Sequence, residues 1–162
     1  MKKATALLLG ILLSFQVISC KKDSDNDDIS NQKVETILND FYRFFETADE
    51  NLLEKTVSIT LKDNDRNPMA TGTDYEALLA LAQSVQGLSE MHHNLVKVHK
   101  IEDNMWVIRW EATAKHTGPL FGIPATGKTV YFNGHDIVKI ENEKITELWH
   151  IETLLQLMSQ IQ

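Results

Sequence analysis

Four stretches of alternating apolar and polar side chains follow one another in the second half of this chain, at residues 91–101, 104–116, 128–141 and 144–152. A period of two marks a strand with one buried face. The connections Glu102-Asp103-Asn104 and Glu141-Asn142-Glu143 are short and polar, as hairpins require. Strands joined in this way pair antiparallel, so the second half predicts a single sheet. Its apolar face has to be covered by something else.

The first half supplies the cover. Val34, Ile37, Leu38, Phe41, Phe44 and Phe45 recur at helical spacing behind Ser30, a residue suited to an N-cap, which predicts an amphipathic helix over 31–47. Asp49 can cap a second, short helix through Lys55; residues 56–61 alternate like a short strand, and 62–72 read as a loop. Thr73-Asp74-Tyr75-Glu76 has the form of a capping box and opens a helix to about Gln86, its buried stripe made by Leu78, Leu79, Ala82 and Val85. A last helix is predicted from Glu152 to Ile161. Helices first and consecutive strands afterwards indicate an α+β fold. Its N-terminal helices pack on a curved, mainly antiparallel sheet, forming a cone with an apolar pocket.

The N-terminal segment has a different character. Lys2 and Lys3 precede an apolar run from Ala4 to Val17, too short to span a bilayer, and Val17-Ile18-Ser19-Cys20 ends with a small residue before the chain's one cysteine. This reads as a bacterial lipoprotein signal. Residues 1–19 would be removed, Cys20 would carry the lipid, 20–32 would form an acidic flexible tether, and 33–162 would be one domain. The expected location is the bacterial cell envelope, lipid-anchored at the outer membrane or cell surface. Net charge is −7 and becomes more negative when Lys2 and Lys3 leave, which argues against nucleic acid as a partner.

His116-Thr117-Gly118-Pro119-Leu120-Phe121-Gly122-Ile123-Pro124-Ala125-Thr126-Gly127, followed later by a polar turn and Trp149, resembles the SnoaL-like polyketide cyclase (ester cyclase) family. That family carries H-x-G-x-(F/L)-x-G-I-P-(A/P)-T-G and then W-x-x-x-D before a last helix, and the resemblance spans roughly residues 88–160. It implies the nuclear-transport-factor-like cone and cofactor-free acid–base catalysis of an intramolecular aldol closure in polyketide esters. Thr153 stands where the family has its acid; His116 matches the H-x-G histidine, and Glu147 the acidic residue before the tryptophan.

Parity then selects candidate site residues. Trp106, Ile108, Trp110, Ala112 and Ala114 share a face with His116 and form the natural interior. In the last strand Ile145, Glu147, Trp149, Ile151 and Thr153 share parity, so Glu147 is expected to point inward. An inward carboxylate among apolar groups needs a partner or a raised pKa, the usual preparation of an acid or base; the alternative place for Glu147 is near the open rim, solvated or paired with Arg109 or a lysine. Between residues 128 and 141, Val130, Phe132, Val138 and Ile140 make one face apolar, whereas Tyr131, Asn133, His135 and Ile137 make the other mixed. Gly134 suggests a bulge that exchanges the two and leaves the facing of His135 open. His92, with Val96 and Val98 as companions, is expected inward in preference to His93.

The candidate catalytic residues are therefore Glu147, His116 and His135, and the candidate ligand-binding residues are Trp106, Trp110, His92, Trp149 and Thr153. No metal is expected, because there is no H-E-x-x-H spacing and His92 and His93, adjacent on a strand, point apart; the resemblance implies no cofactor either. No serine lies in a G-x-S-x-G elbow. Two classes of function remain. One is an acid–base enzyme on a small hydrophobic carbonyl or ester compound; the other is a membrane-tethered module that binds a hydrophobic ligand or partner without turnover. The uncovered face of the sheet is where a homodimer would form.

Overall fold

The computed structural model describes residues 30–162; the expected signal, Cys20 and most of the tether lie outside the described residues. Helix α1 runs Asn31–Thr47, so residues 31 and 32 already belong to the folded domain and not to the tether. The Ser30 hydroxyl accepts from the Lys33 N–H at its start, and Ala48, at φ 52, ends it in the left-handed conformation. Asp49 caps α2 (Glu50–Thr56) by accepting from Asn51 N–H. The Thr73 and Glu76 side chains satisfy each other's backbone N–H at the start of α3 (Asp74–Ser84).

The strands are β1 (Val57–Asp63), β2 (Leu88–Glu102), β3 (Met105–His116), β4 (Thr129–Glu141) and β5 (Lys144–Glu152), and α4 (Leu154–Ile161) follows. They form one sheet in the order β1-β5-β4-β3-β2. Three pairings are antiparallel; β1 joins β5 in parallel at the edge. Helix α1 packs on β2, α3 on β1 and α4 on β4, covering the face that carries the apolar alternation. Phe41, Phe44 and Leu38 meet Trp106, Ile108, Trp110 and Leu148 there, all essentially removed from water.

Two bulges decide which side chains enter this interior. On β5, Ile145 pairs with Ile140 and Glu147 with Lys139, so Thr146 is an extra residue with no partner of its own. Ile145 is buried on one side of the bulge and Leu148 on the other. The parity of β5 reverses between them. Glu147, Trp149 and Ile151 consequently face away from the helices, and Ile151 is 70% exposed, contrary to the inward facing expected for that set. Trp149 is half-buried and lies outside the core, whereas Trp106 and Trp110 are inside it.

On β2 the register shifts between Ser89 and His92, where Glu90 takes φ 50. Met91 and His93 turn inward, and the His92 side chain is 76% exposed. A second shift between Leu95 and Lys97 separates His92 from Val96 and Val98, so their facing carried no information about it. Gly134, by contrast, sits in an unbroken ladder, opposite Trp110 on β3 and Glu152 on β5. It is no bulge. A Cβ there would lie 2.3 Å from the Trp110 ring, so the glycine makes room for the indole.

Candidate active site

The unbroken parity of β4 places Phe132, Gly134, Asp136 and Val138 on the interior face. Asp136 is thus a carboxylate on an otherwise apolar stripe, 1% exposed. Such a group has to be compensated by hydrogen bonds or opposite charge. Both are present. Tyr42, one turn beyond Leu38 on α1, donates its hydroxyl proton to one carboxylate oxygen, and His150 Nδ1 lies 2.6 Å from the other. The β5 bulge is what brings His150 inward, and Glu152 follows it two residues later, its carboxylate 3.8 Å from His150 Nε2.

Burial is the largest single influence on His150 and opposes its charge, but hydrogen bonding to Asp136 and Glu152 and their negative fields outweigh it. The imidazolium is held up to about 10. Burial, then the field of Asp136 and the hydrogen bond given to it, push the Tyr42 phenol well above its ordinary value. At neutral pH Tyr42 is therefore a protonated phenol and His150 an imidazolium, both set against Asp136. The His150 ring stacks on Trp110, nearly parallel, with centroids 6.0 Å apart.

These groups open on a cavity of about 50 Å³. Phe45, Leu81, Val85, Leu88, Met91, Phe132 and Leu157 make most of its wall apolar, and Tyr42, His93, Asp136, His150 and Glu152 supply the polar points. Phe121 stands at the mouth, half exposed, on the tight turn closed by Leu120 and Ile123. A space of this size holds a few waters, at roughly 10–15 Å³ each, or a small organic molecule. No group of three or more His, Cys, Asp or Glu arranged to hold a metal occurs among the described residues.

The residues singled out from the sequence divide. Trp110 lines the cavity, while Trp106 is core beneath it. Glu147 lies outside, 3.4 Å from Lys62 and 3.7 Å from Lys139. His135 is exposed on the outer face, paired across the sheet with Arg109. His116 is fully buried at the end of β3, its Nδ1 3.0 Å from the Thr126 hydroxyl, and does not line the cavity. Thr117 and Gly118 after it donate their N–H groups to Gly87 O, and a Cβ on Gly118 would come within 3.0 Å of Gly87 Cα. The His-x-Gly signature thereby fastens the 117–128 loop to the start of β2. Thr153 exchanges hydrogen bonds with the Asn133 backbone at 3.1 Å and starts α4. Trp149 and His92 face outward. Asp136, His150, Tyr42, His93 and Glu152 were not singled out. For Asp136 the signal was there: it shares parity with Val130, Phe132, Val138 and Ile140.

The family model of the SnoaL-like polyketide cyclases matches residues 30–161. Comparison with curated proteins finds no match. Among solved structures, TsrD from Streptomyces laurentii is similar at 21% identity and TM-score 0.70, over 82% of this chain and 97% of its own. A candidate polyketide cyclase from Bacillus cereus matches at 24% identity and TM-score 0.67, over 80% of each chain. IdmH from Streptomyces antibioticus, also a candidate polyketide cyclase, matches at 19% and 0.67, over 80% of this chain and 97% of its own. Identities this low establish the shared fold and leave the reaction to be argued from the site.

Proposed function

This chain belongs to the SnoaL-like polyketide cyclase family, and from that premise we propose that it is a cofactor-free acid–base enzyme, of cyclase or isomerase kind, on a small hydrophobic carbonyl or ester compound. One observation carries the reading. A buried Tyr42–Asp136–His150 network presents a proton donor to an apolar cavity. Asp136 fixes the His150 ring through Nδ1, and Nε2 stands 3.8 Å from the Glu152 carboxylate on the cavity wall; a carbonyl oxygen that takes Nε2–H in place of Glu152 gains a charged donor as negative charge develops on that oxygen. Tyr42 positions Asp136 through the hydrogen bond it donates. The apolar wall selects a hydrophobic substrate, and the cavity's volume favours a small one.

The test is α-proton exchange in D2O, followed by NMR, with 2-methylcyclohexanone and ethyl 2-methylacetoacetate as probes. The protein accelerates exchange, and His150→Gln loses about 10²–10⁴-fold, the usual weight of a positioned acid. Asp136→Asn also loses activity, because the ring is no longer held as an imidazolium. Full exchange by His150→Gln would contradict the assignment. Thr153, at the position of the family's acid, favours the other reading, a hydrophobic-ligand module without turnover. Binding of the ketone with no exchange above solvent would select it. We also place the domain on a lipid tether through Cys20 in the bacterial cell envelope, on the strength of residues 1–20; Cys20→Ser then abolishes labelling by a fatty-acid probe.

A further inference from the structure

The cavity contains a second histidine–carboxylate pair that this reading has not used. Glu46, at the end of α1, accepts the His93 backbone N–H at 2.7 Å and lies 3.3 Å from the ring Nδ1. Burial works against its charge most strongly, but the His93 hydrogen bonds and the fields of His93 and His92 prevail, and the carboxyl is held below its ordinary range. The His93 side chain is 6% exposed. Its ring packs against Tyr42, against Trp110 at 5.3 Å and against Phe132. One nitrogen is engaged by a carboxylate; the other, Nε2, has no hydrogen-bond partner among the described residues.

The indole of Trp110 is therefore flanked by two imidazoles, His150 stacked on it and His93 edge-on, each with Nδ1 on its own carboxylate. Their electrostatic settings differ. His150 faces two carboxylates and is held as an imidazolium, whereas His93 faces Glu46 alone at hydrogen-bond range. A carboxylate accepting from Nδ1–H fixes the tautomer whose Nε2 carries the lone pair. Glu152 is a weaker candidate for a base, because it is tied to the imidazolium it neighbours.

The geometry points to His93 as the catalytic base that takes the proton from the carbon next to the substrate carbonyl, with Glu46 as its positioning residue. The inference rests on the acid–base reading above and deepens it: the substrate class becomes carbonyl compounds with a removable α-hydrogen. His93 Nε2 takes the proton of the α C–H bond, the C–H electrons become the new C=C bond, and the carbonyl π pair moves to oxygen. That oxygen receives the proton of His150 Nε2–H. Return of the His93 proton to the same or a conjugated carbon, and of the oxygen's proton to His150, restores both residues. No oxidant, reductant or co-reactant is needed.

The experiment uses the same D2O exchange with 2-methylcyclohexanone. His93→Gln, which keeps the side chain's bulk, is expected to lose about 100-fold or more in exchange rate with little change in the concentration giving half-maximal rate. His93→Ala is expected to recover at least about tenfold on addition of imidazole, a response that a purely structural role would not give. Glu46→Gln, which retains an acceptor for the backbone N–H, loses less than His93→Gln. If His150→Gln abolishes exchange while His93→Gln retains it, or if imidazole does nothing for a folded His93→Ala, the His93 assignment is wrong and the acid–base reading survives. If the parent protein exchanges no faster than solvent, both fall together.

Discussion

Asp136 and Glu147 are carboxylates on neighbouring strands of one sheet, and they end in opposite environments. Asp136 is sealed between a phenol and an imidazole on the covered face. Glu147 stands on the open face between two lysines, one of them largely in water. The difference comes from Thr146. Without a partner in the β4–β5 ladder, this one residue turns His150 and Glu152 toward Asp136 and sends Glu147, Trp149 and Ile151 outward. A carboxylate's worth to a site is set by what the register brings opposite it.

The contrast is broken most severely at Asp136. Asp136→Ala leaves the partly buried His150 imidazolium without its principal partner, and the loss of one member of a buried pair costs about 3–5 kcal/mol, the exposed part of the ring placing this one toward the lower end. Glu147→Ala costs about 1 kcal/mol or less, the scale of exposed ion pairs. Urea denaturation of both variants measures the gap; equal losses would show that the two carboxylates are not in different environments.

Gly134→Ala sharpens the same boundary from inside. Its Cβ would lie 2.3 Å from the Trp110 ring and 2.6 Å from Ile151 O, and one of those neighbours is backbone. Overpacking of this kind costs about 1–3 kcal/mol and pushes the indole off His150. Trp149→Ala on the outer face costs less than the roughly 3–5 kcal/mol of a buried tryptophan, which Trp110→Ala should show. Thermal melts rank the three variants. A Trp149 variant as damaged as the Trp110 variant would restore the uninterrupted parity of β5.

How far the sequence carried depended on whether a signal was local. Ser30, Asp49 and the Thr73/Glu76 box act within three residues of themselves, and the helices start at those caps. Alternation located all four long strands to within a few residues at their ends. Facing is different, because it propagates along a strand and a single unpaired residue inverts it. Nothing in Lys144-Ile145-Thr146-Glu147 marks Thr146 as extra; the shift exists only relative to β4. The site failed to emerge for that reason, although Asp136 was already visible as a charge on an apolar stripe. The sequence pointed to Gly134 as the bulge, and it serves as a space for Trp110 instead.

A smaller effect follows from pH. His150 is raised in the folded protein above its unfolded value of about 6.5, so its contribution to stability is complete below that pH and is lost as pH rises toward about 10. Tyr42, also raised, adds to the decline at the alkaline end. Asp136 and Glu152 face the ring, with Asp63 and Asp65 beyond it near β1. Unfolding free energy measured from pH 6 to 10.5 should fall across this window, with a shallower slope in His150→Gln. A parent whose slope matches the variant's would remove His150 from the balance.

The most direct test is the titration of the His150 ring, followed by NMR of 15N-labelled imidazole. Both ring nitrogens should remain protonated at pH 8, with a midpoint near 10 that falls in Asp136→Asn. A midpoint near 6.5, unmoved by that substitution, would mean that His150 does not face Asp136 in the cavity and that β5 does not turn at Thr146.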